Sequence, residues 1–360
     1  MVKKIRVLVV DDSAFMRKII SDLLNSDDRL EVIGTARNGK DGLSQITQLK
    51  PDVVTMDVEM PIMNGIDALK EIMQRQPLPV VMLSSLTKQG ADMTIHAMSL
   101  GAVDFIAKPS GSISLDLDKV RDELVAKVVA AAASRLSVRQ QVKAADVKVT
   151  VKAPAARKRA DCSLVAIGTS TGGPRALQEV IGKLPATLAA PVVVVQHMPV
   201  GFTKSLAERL NSLSPIRVKE AQHNETLRNG TVYIAPGGHH LTIEQADSRL
   251  IAKLTMEDPV SGHRPSVDRM FESISLLQNV DVCTVIMTGM GADGTNGLRK
   301  IRDRISSVYS IGESAETCVV YGMPRAAAEA GLLHHVCPVQ SIAGAVQKRI
   351  NLSEGVNQWK

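Results

Sequence analysis

Short, almost unbroken apolar runs alternate with helix-periodic stretches along most of this chain. In its first part, IRVLVV (5–10), VIGTA (32–36), VVTM (53–56), VVML (80–83) and VDFIA (103–107) predict strands. The helical period falls between them, near 13–25, 38–49, 64–75 and 91–100. Strands that are apolar throughout, separated by helices, predict a parallel sheet covered on both faces. DLDKVRDELVAKVVAAAASRL (116–136) predicts a closing helix, and from 136 to 160 Ala, Lys, Arg, Gln and Val mix without a clean period. The alternation resumes at Cys162 with SLVAIG (163–168), PVVVVQH (191–197), TVYIAP (231–236), CTVIMTG (283–289) and SSVYSIG (306–312), followed by a helix in MPRAAAEAGLL (323–333). The expected fold class is α/β. Two doubly wound parallel-sheet domains, 1–125 and 161–352, are joined by a linker over 126–160 that is helical where it begins.

Composition narrows the function classes. Hydrophobic residues make up 44% of the 360 positions but aromatics only 2%. Cores are therefore aliphatic and Met-filled, and nucleic-acid binding by base stacking is disfavoured. Much of the net charge of +6 sits in VKVTVKAPAARKRAD (147–161), which reads as a basic tether. The four cysteines lack metal or disulfide spacing, and no run is long enough to span a bilayer. A cytoplasmic chain that is not membrane-inserted is the expectation.

Polar residues recur where the first strands end: Asp11 and Asp12 after the first, Asp57 after the third, Ser84 after the fourth and Lys108 after the fifth. Strand ends of an open parallel sheet share one edge, where ligands bind. Three converging carboxylates repel one another unless a hard cation joins them. A cation and Lys108 together could stabilise charge during phosphoryl transfer onto a carboxylate. Any one of these acids alone reads as a cap, and Asp12 before SAFMRKII is placed to be one.

In the second part, VAIGTSTGGPRAL (165–177) runs from a strand through glycines into a helix and holds G-x-S-x-G at Gly168, Ser170 and Gly172. That spacing lifts a serine onto a strand-to-helix turn. A phosphate cradle is the competing reading, but the motif is neither G-x-G-x-x-G nor a Walker sequence. A serine nucleophile needs an oriented base, and eight histidines compete for that role. His197 ends an apolar strand and so shares an edge with Ser170; Asp293 follows another strand end in MTGMGADG. His239 and His240 read as polar loop residues. The local set His263, Ser266 and Asp268 looks like a triad on paper, yet Ser266 is better placed to cap VDRMFESI. His96 falls in a first-domain helix, and His334 and His335 come late.

The first 125 residues resemble the response-regulator receiver family through the DD pair, TMDVEMPIMNG, MLSS and AKP. The resemblance implies a flavodoxin-like fold and phosphorylation of Asp57 by a chemotaxis histidine kinase. It also implies Mg²⁺ on Asp11, Asp12, Asp57 and the Glu59 backbone carbonyl. Ser84 and Lys108 would sense the phosphoryl group, and Phe105 would take the aromatic switch position. Residues 160–350 resemble the chemotaxis protein-glutamate methylesterase family (CheB) through IGTSTGGP, VVQHMP, YIAPGGHHL, RPSVD and MTGMGADG. This implies a Rossmann-like catalytic domain with Ser170 as nucleophile, His197 as base and acid, and Asp293 orienting His197. Met290 would lie beside the oxyanion. The implied substrates are methyl esters, and glutamine amides, on chemoreceptor cytoplasmic helices; no cofactor is implied for the ester chemistry. The unphosphorylated receiver would block the catalytic edge. Thr169 stands where the family commonly has alanine. A receiver with a non-catalytic DNA- or nucleotide-binding output is the alternative, disfavoured by the large α/β second domain without a helix-turn-helix.

Overall fold

The computed structural model describes residues 3–108, 117–134, 162–247 and 249–354. The chain divides into two compact units, Met1–Gln141 and Val142–Lys360.

The first unit alternates β1 (Ile5–Val10), α1 (Ala14–Asn25), β2 (Leu30–Ala36), α2 (Gly39–Leu49), β3 (Val53–Asp57), α3 (Gly65–Arg75), β4 (Val80–Ser84), α4 (Lys88–Leu100), β5 (Asp104–Ala107) and α5 (Leu117–Ala133). Its five strands pair in parallel in the order β2-β1-β3-β4-β5, the flavodoxin-like order. Val7–Val10, β3 and β4 are buried, as runs apolar on both faces require. Side chains of Ser13, Asn38, Asn64 and Thr87 accept from backbone N–H groups and open α1 to α4. Ser13, not Asp12, is therefore the cap of α1, while Asp11 Oδ1 accepts from Ser13 N–H at 2.9 Å. α5 continues to Ala133, so the stretch from 126 begins as helix; residues 135–160 of the expected linker lie outside the described residues.

The second unit contains β6 (Cys162–Thr169), α6 (Gly173–Ile181), β7 (Val192–Gln196), α7 (Phe202–Leu213), β8 (Arg217–Glu220), β9 (Glu225–Thr226), β10 (Thr231–Ile234), β11 (His240–Ala246), β12 (Arg249–Thr255), α8 (Val267–Ile274), β13 (Val280–Ile286), α9 (Thr295–Arg304), β14 (Val308–Glu313), α10 (Met323–Glu329), β15 (His335–Cys337) and α11 (Val339–Glu354). Seven strands form one parallel sheet, ordered β15-β14-β13-β6-β7-β10-β8. The first strand, β6, lies inside it. The chain builds outward on the β7 side, then returns to add β13 on the other. The strand order reverses there, which is where ligand crevices open in doubly wound sheets.

A second, antiparallel sheet, β11-β12-β9, was not expected from the sequence. HLTIEQA and RLIAKLT interleave buried positions with partly exposed ones instead of running apolar, because one face is more open to solvent. His240, read as a loop residue, begins β11 and is buried, with Nε2 3.1 Å from the Asp258 carbonyl. The hairpin joins the large sheet through one apolar core in which Leu241, Ile243 and Ala252 pack with Val267, Phe271, Val193 and Val195. The edge strands β8 and β15 were also missed, being only four and three residues long. Among the described residues no helix is long and apolar enough to cross a membrane.

One ion pair is buried where α11 packs on β13. Arg349 and Asp281 are 5% and 3% exposed, and Asp281 also accepts from Ser307 Oγ at 2.6 Å. Removing one partner of a buried pair leaves an uncompensated charge. Asp281→Ala or Arg349→Met is expected to destabilise the protein by about 3–5 kcal/mol. The double variant Asp281→Leu/Arg349→Met is expected to recover much of that loss, as read from urea-unfolding midpoints.

Candidate functional site

Two polar sites lie at the carboxyl ends of the two parallel sheets. In the first unit, pairing of Val10 with Met56 and of Asp57 with Leu83 puts the ends of β1, β3 and β4 level. Asp11 and Asp57 are buried and Asp12 is exposed, and one carboxylate oxygen from each lies within 4.8 Å of the others. Lys108 Nζ sits 2.8 Å from Asp11 Oδ2 and 2.7 Å from Asp57 Oδ2. Its backbone N–H donates to the Ser84 carbonyl at 2.7 Å, which ties the end of β5 to that of β4.

Burial pushes the Asp57 carboxyl up to about 6, against the pull of Lys108 and with a further push from Asp11. Burial works against the Lys108 charge, but hydrogen bonds to Asp11 and Asp57 outweigh it and hold the ammonium above its ordinary range. Glu59 is exposed, and its N–H lies 3.4 Å from Asp57 Oδ1. Ser84 is buried and donates to the Ser85 carbonyl. Phe105 is buried beneath the Lys127 ammonium, 5.2 Å from the ring centroid. Gly65 opens α3 so close to Asp57 that a Cβ there would meet the Asp57 carbonyl oxygen at 2.0 Å.

In the second unit, β6 stops at Thr169 and Ser170 occupies the turn, with Gly172 at φ +78° just before α6. Ser170 N–H donates to the Thr288 carbonyl at 3.0 Å. The Ser170 carbonyl accepts from Gly173 N–H at 2.8 Å and from Gln196 Nε2 at 3.0 Å. His197 follows β7 directly. Its Nδ1 lies 3.2 Å from Ser170 Oγ and its Nε2 lies 2.8 Å from Asp293 Oδ2.

Asp293 is 5% exposed and sits against the N-terminus of α8. Its Oδ2 also accepts from Val267 N–H at 2.7 Å, and its Oδ1 accepts from Ser266 Oγ at 3.0 Å and Asp268 N–H at 2.8 Å. Burial pushes its carboxyl up, but the His197 hydrogen bond and these donors outweigh it, so the group lies below the usual carboxylate range. Asp268 answers across the interface: its Oδ1 accepts from Gly294 and Gly297 N–H at 3.0 and 2.7 Å. Each helix, α8 and α9, thus meets a carboxylate carried by the other segment, where orphan N–H groups and the helix dipole favour negative charge. Burial and the neighbouring Asp293 charge push Asp268 up.

Ser170, His197 and Asp293 therefore form one hydrogen-bonded chain. Met290, half-buried, follows Gly289, at which a Cβ would lie 2.8 Å from Ser170 Cβ. His334 accepts instead from Ser310 N–H, on β14.

Three contributors were not legible as site residues. Ser266 caps α8, as expected, but its hydroxyl also reaches Asp293. His263 stacks on His197, ring centroids 3.8 Å apart and planes 12° apart. Glu313 is fully buried at the end of β14, where its Oε2 accepts from Thr288 N–H at 2.8 Å and so steadies the loop that holds Ser170. Burial pushes the Glu313 carboxyl up. A carboxylate closing an apolar strand was the available signal.

Residues 165–346 match the family described as CheB methylesterase, and residues 7–117 match the response regulator receiver domain. The chain is 52% identical over 350 residues to a protein-glutamate methylesterase/protein-glutamine glutaminase of Oceanobacillus iheyensis, covering 97% of this chain and 99% of that protein. This chain belongs to the CheB methylesterase family. A Bacillus subtilis protein with the same description is 53% identical over 348 residues, covering 95% of this chain and 97% of its own. The crystal structure of the Thermotoga maritima CheB methylesterase catalytic domain matches with a TM-score of 0.50 and 42% identity, over 52% of this chain and 98% of that one.

Thr169, where the CheB resemblance leads one to expect alanine, is accommodated here. Its buried hydroxyl donates to the Thr288 carbonyl at 2.9 Å, the same oxygen that receives Ser170 N–H. Replacing Asp268 in this CheB framework strands two N–H donors at the start of α9. Asp268→Ala is expected to destabilise the chain by about 1–3 kcal/mol in urea unfolding. Asp268→Asn, which keeps an acceptor oxygen, is expected to cost less.

Proposed function

We propose that this chain is a phosphorylation-controlled protein-glutamate methylesterase that also deamidates glutamine, with chemoreceptor cytoplasmic helices as substrate and the cytoplasm as its site of action. The observation that carries the catalytic reading is the hydrogen-bonded order Ser170 Oγ, His197 and Asp293 at the point where the sheet order reverses. The full-length likeness to methylesterases favours this output over a DNA- or nucleotide-binding one.

Ser170 Oγ attacks the carbonyl carbon of a γ-glutamyl methyl ester as its proton passes to His197 Nδ1. Nε2 keeps its hydrogen and donates it to Asp293, whose buried charge orients the ring and stabilises the imidazolium. Here the base meets its nucleophile through Nδ1 and its acid through Nε2. The oxyanion develops beside Gly289 and Met290, near the positive end of α6. The tetrahedral intermediate expels methanol, which takes the proton from His197. Water then adds by the same route to the acyl-enzyme and releases glutamate and free Ser170. With a glutamine amide the leaving group is ammonia, and either reaction leaves one carboxylate on the receptor.

Control enters at Asp57, which accepts a phosphoryl group from a chemotaxis histidine kinase. Three carboxylates within 4.8 Å form the hard oxygen set that Mg²⁺ prefers, so the residues present suit that ion. Asp11, Asp12, Asp57 and the Glu59 carbonyl would hold it, and bound Mg²⁺ supplies charge neutralisation for phosphoryl transfer. Lys108, already bridging Asp11 and Asp57, shifts its contact to the phosphoryl oxygens, which Ser84 also meets. Phe105 takes the switch position beside them.

Ser170→Ala is expected to lower methanol release from methylated receptor by about 10⁴-fold or more. Retained activity in that variant would remove Ser170 from the reaction. Asp57→Asn is expected to keep the basal rate yet lose stimulation by a small-molecule phosphodonor. Stimulation that survives in Asp57→Asn would overturn the control reading.

A further inference from the structure

We propose that His263 is a positioning residue for His197, setting the tilt of the imidazole during proton transfer; this rests on the esterase reading above. Two in-plane hydrogen bonds, to Ser170 at Nδ1 and to Asp293 at Nε2, pin the ring at two points. They restrain rotation about the line joining those nitrogens least, and such a tilt turns the Nδ1 lone pair and the Nε2–H away from their partners. A flat neighbour stops that tilt. The His263 ring lies 3.8 Å away, tilted by only 12°, and the His197 side chain is 7% exposed beneath such cover.

His263 is itself held in place. Val260 and His263 exchange both backbone hydrogen bonds, at 3.1 and 3.0 Å, across a turn with Ser261 and Gly262 at positive φ. The next residue is fastened on two sides: the Arg264 carbonyl accepts from Gly238 N–H, and Arg264 Nη1 donates to the carbonyls of Met256 and Glu257. Three residues on, Ser266 begins the segment whose Oγ and N–H groups grip Asp293. The stretch 263–268 therefore holds His197 from two directions, through its ring face and through Asp293. A π face against His197 also favours the cationic ring that exists only after proton transfer. The stack accordingly acts on kcat rather than on KM.

The test compares His263→Ala and His263→Phe in the full-length protein, with Ser170→Ala as the control for the esterase reading. In His263→Ala, kcat is expected to fall about 10–100-fold with KM within twofold of wild type. His263→Phe keeps a flat π face and is expected to restore kcat to within about threefold. Independently of turnover, ¹⁵N NMR of the His197 ring is expected to show one dominant tautomer in wild type and His263→Phe, and averaged nitrogen shifts in His263→Ala. Wild-type kcat and ring shifts in His263→Ala overturn the proposal, as does equal loss in both variants at unchanged urea midpoints. If His263→Ala does not fold, a tenfold or larger loss in folded His263→Phe overturns it. Activity retained in Ser170→Ala strikes the esterase reading instead, while the NMR comparison still decides whether His263 holds the ring.

Discussion

A buried carboxylate organises the catalytic unit. Asp293 is removed from water, and such a charge is tolerable only where donors replace its hydration. Those donors come from the first turn of α8, whose N–H groups lack helical partners and whose dipole points the right way. Asp268 repeats the arrangement in the other direction on α9. The exchange locks the loop after β13 to the start of α8, so the acid facing His197 is part of a rigid joint rather than a mobile turn. The same joint brings His263, just upstream, onto the face of the ring.

Ser170 is held by a comparable device. The Thr288 carbonyl receives both Ser170 N–H and the Thr169 hydroxyl, while Thr288 N–H is fixed by Glu313. β6, β13 and β14 thus meet through hydrogen bonds at the level of the site, and a displacement of one strand end carries to the others. The receiver edge follows the opposite economy. Asp11 and Asp57 share a single ammonium from Lys108 instead of each having its own set of donors.

Much of this was legible because doubly wound parallel sheets make a simple promise: residues at or just past strand ends converge on one edge. Asp11, Asp57, Ser84, Lys108, Ser170 and His197 all obey it, and all follow apolar runs that announce their strands. Asp293 was harder, since six residues separate the end of β13 from it and GADG reads equally well as an ordinary turn. The hairpin of β11 and β12 escaped because its strands are half-exposed and alternate. His263 stood out only within a local His-Ser-Asp set and Glu313 only as a carboxylate closing an apolar strand, and neither pattern points to the neighbour it meets.

The amino-acid sequence by itself determined the two α/β units, the strand ends that bear the chemistry and the G-x-S-x-G turn that exposes Ser170. These are local matters of hydrophobic period, glycine placement and the geometry of parallel strands. Only the tertiary structure brings His197 and Asp293 into one hydrogen-bonded chain with Ser170. Six strand pairings build the sheet whose edge they share, and a 2.8 Å hydrogen bond between residues 96 positions apart has no local signature. The same holds for the imidazole stack, which exists because two loops separated in the chain are closed against each other by the N-terminus of one helix.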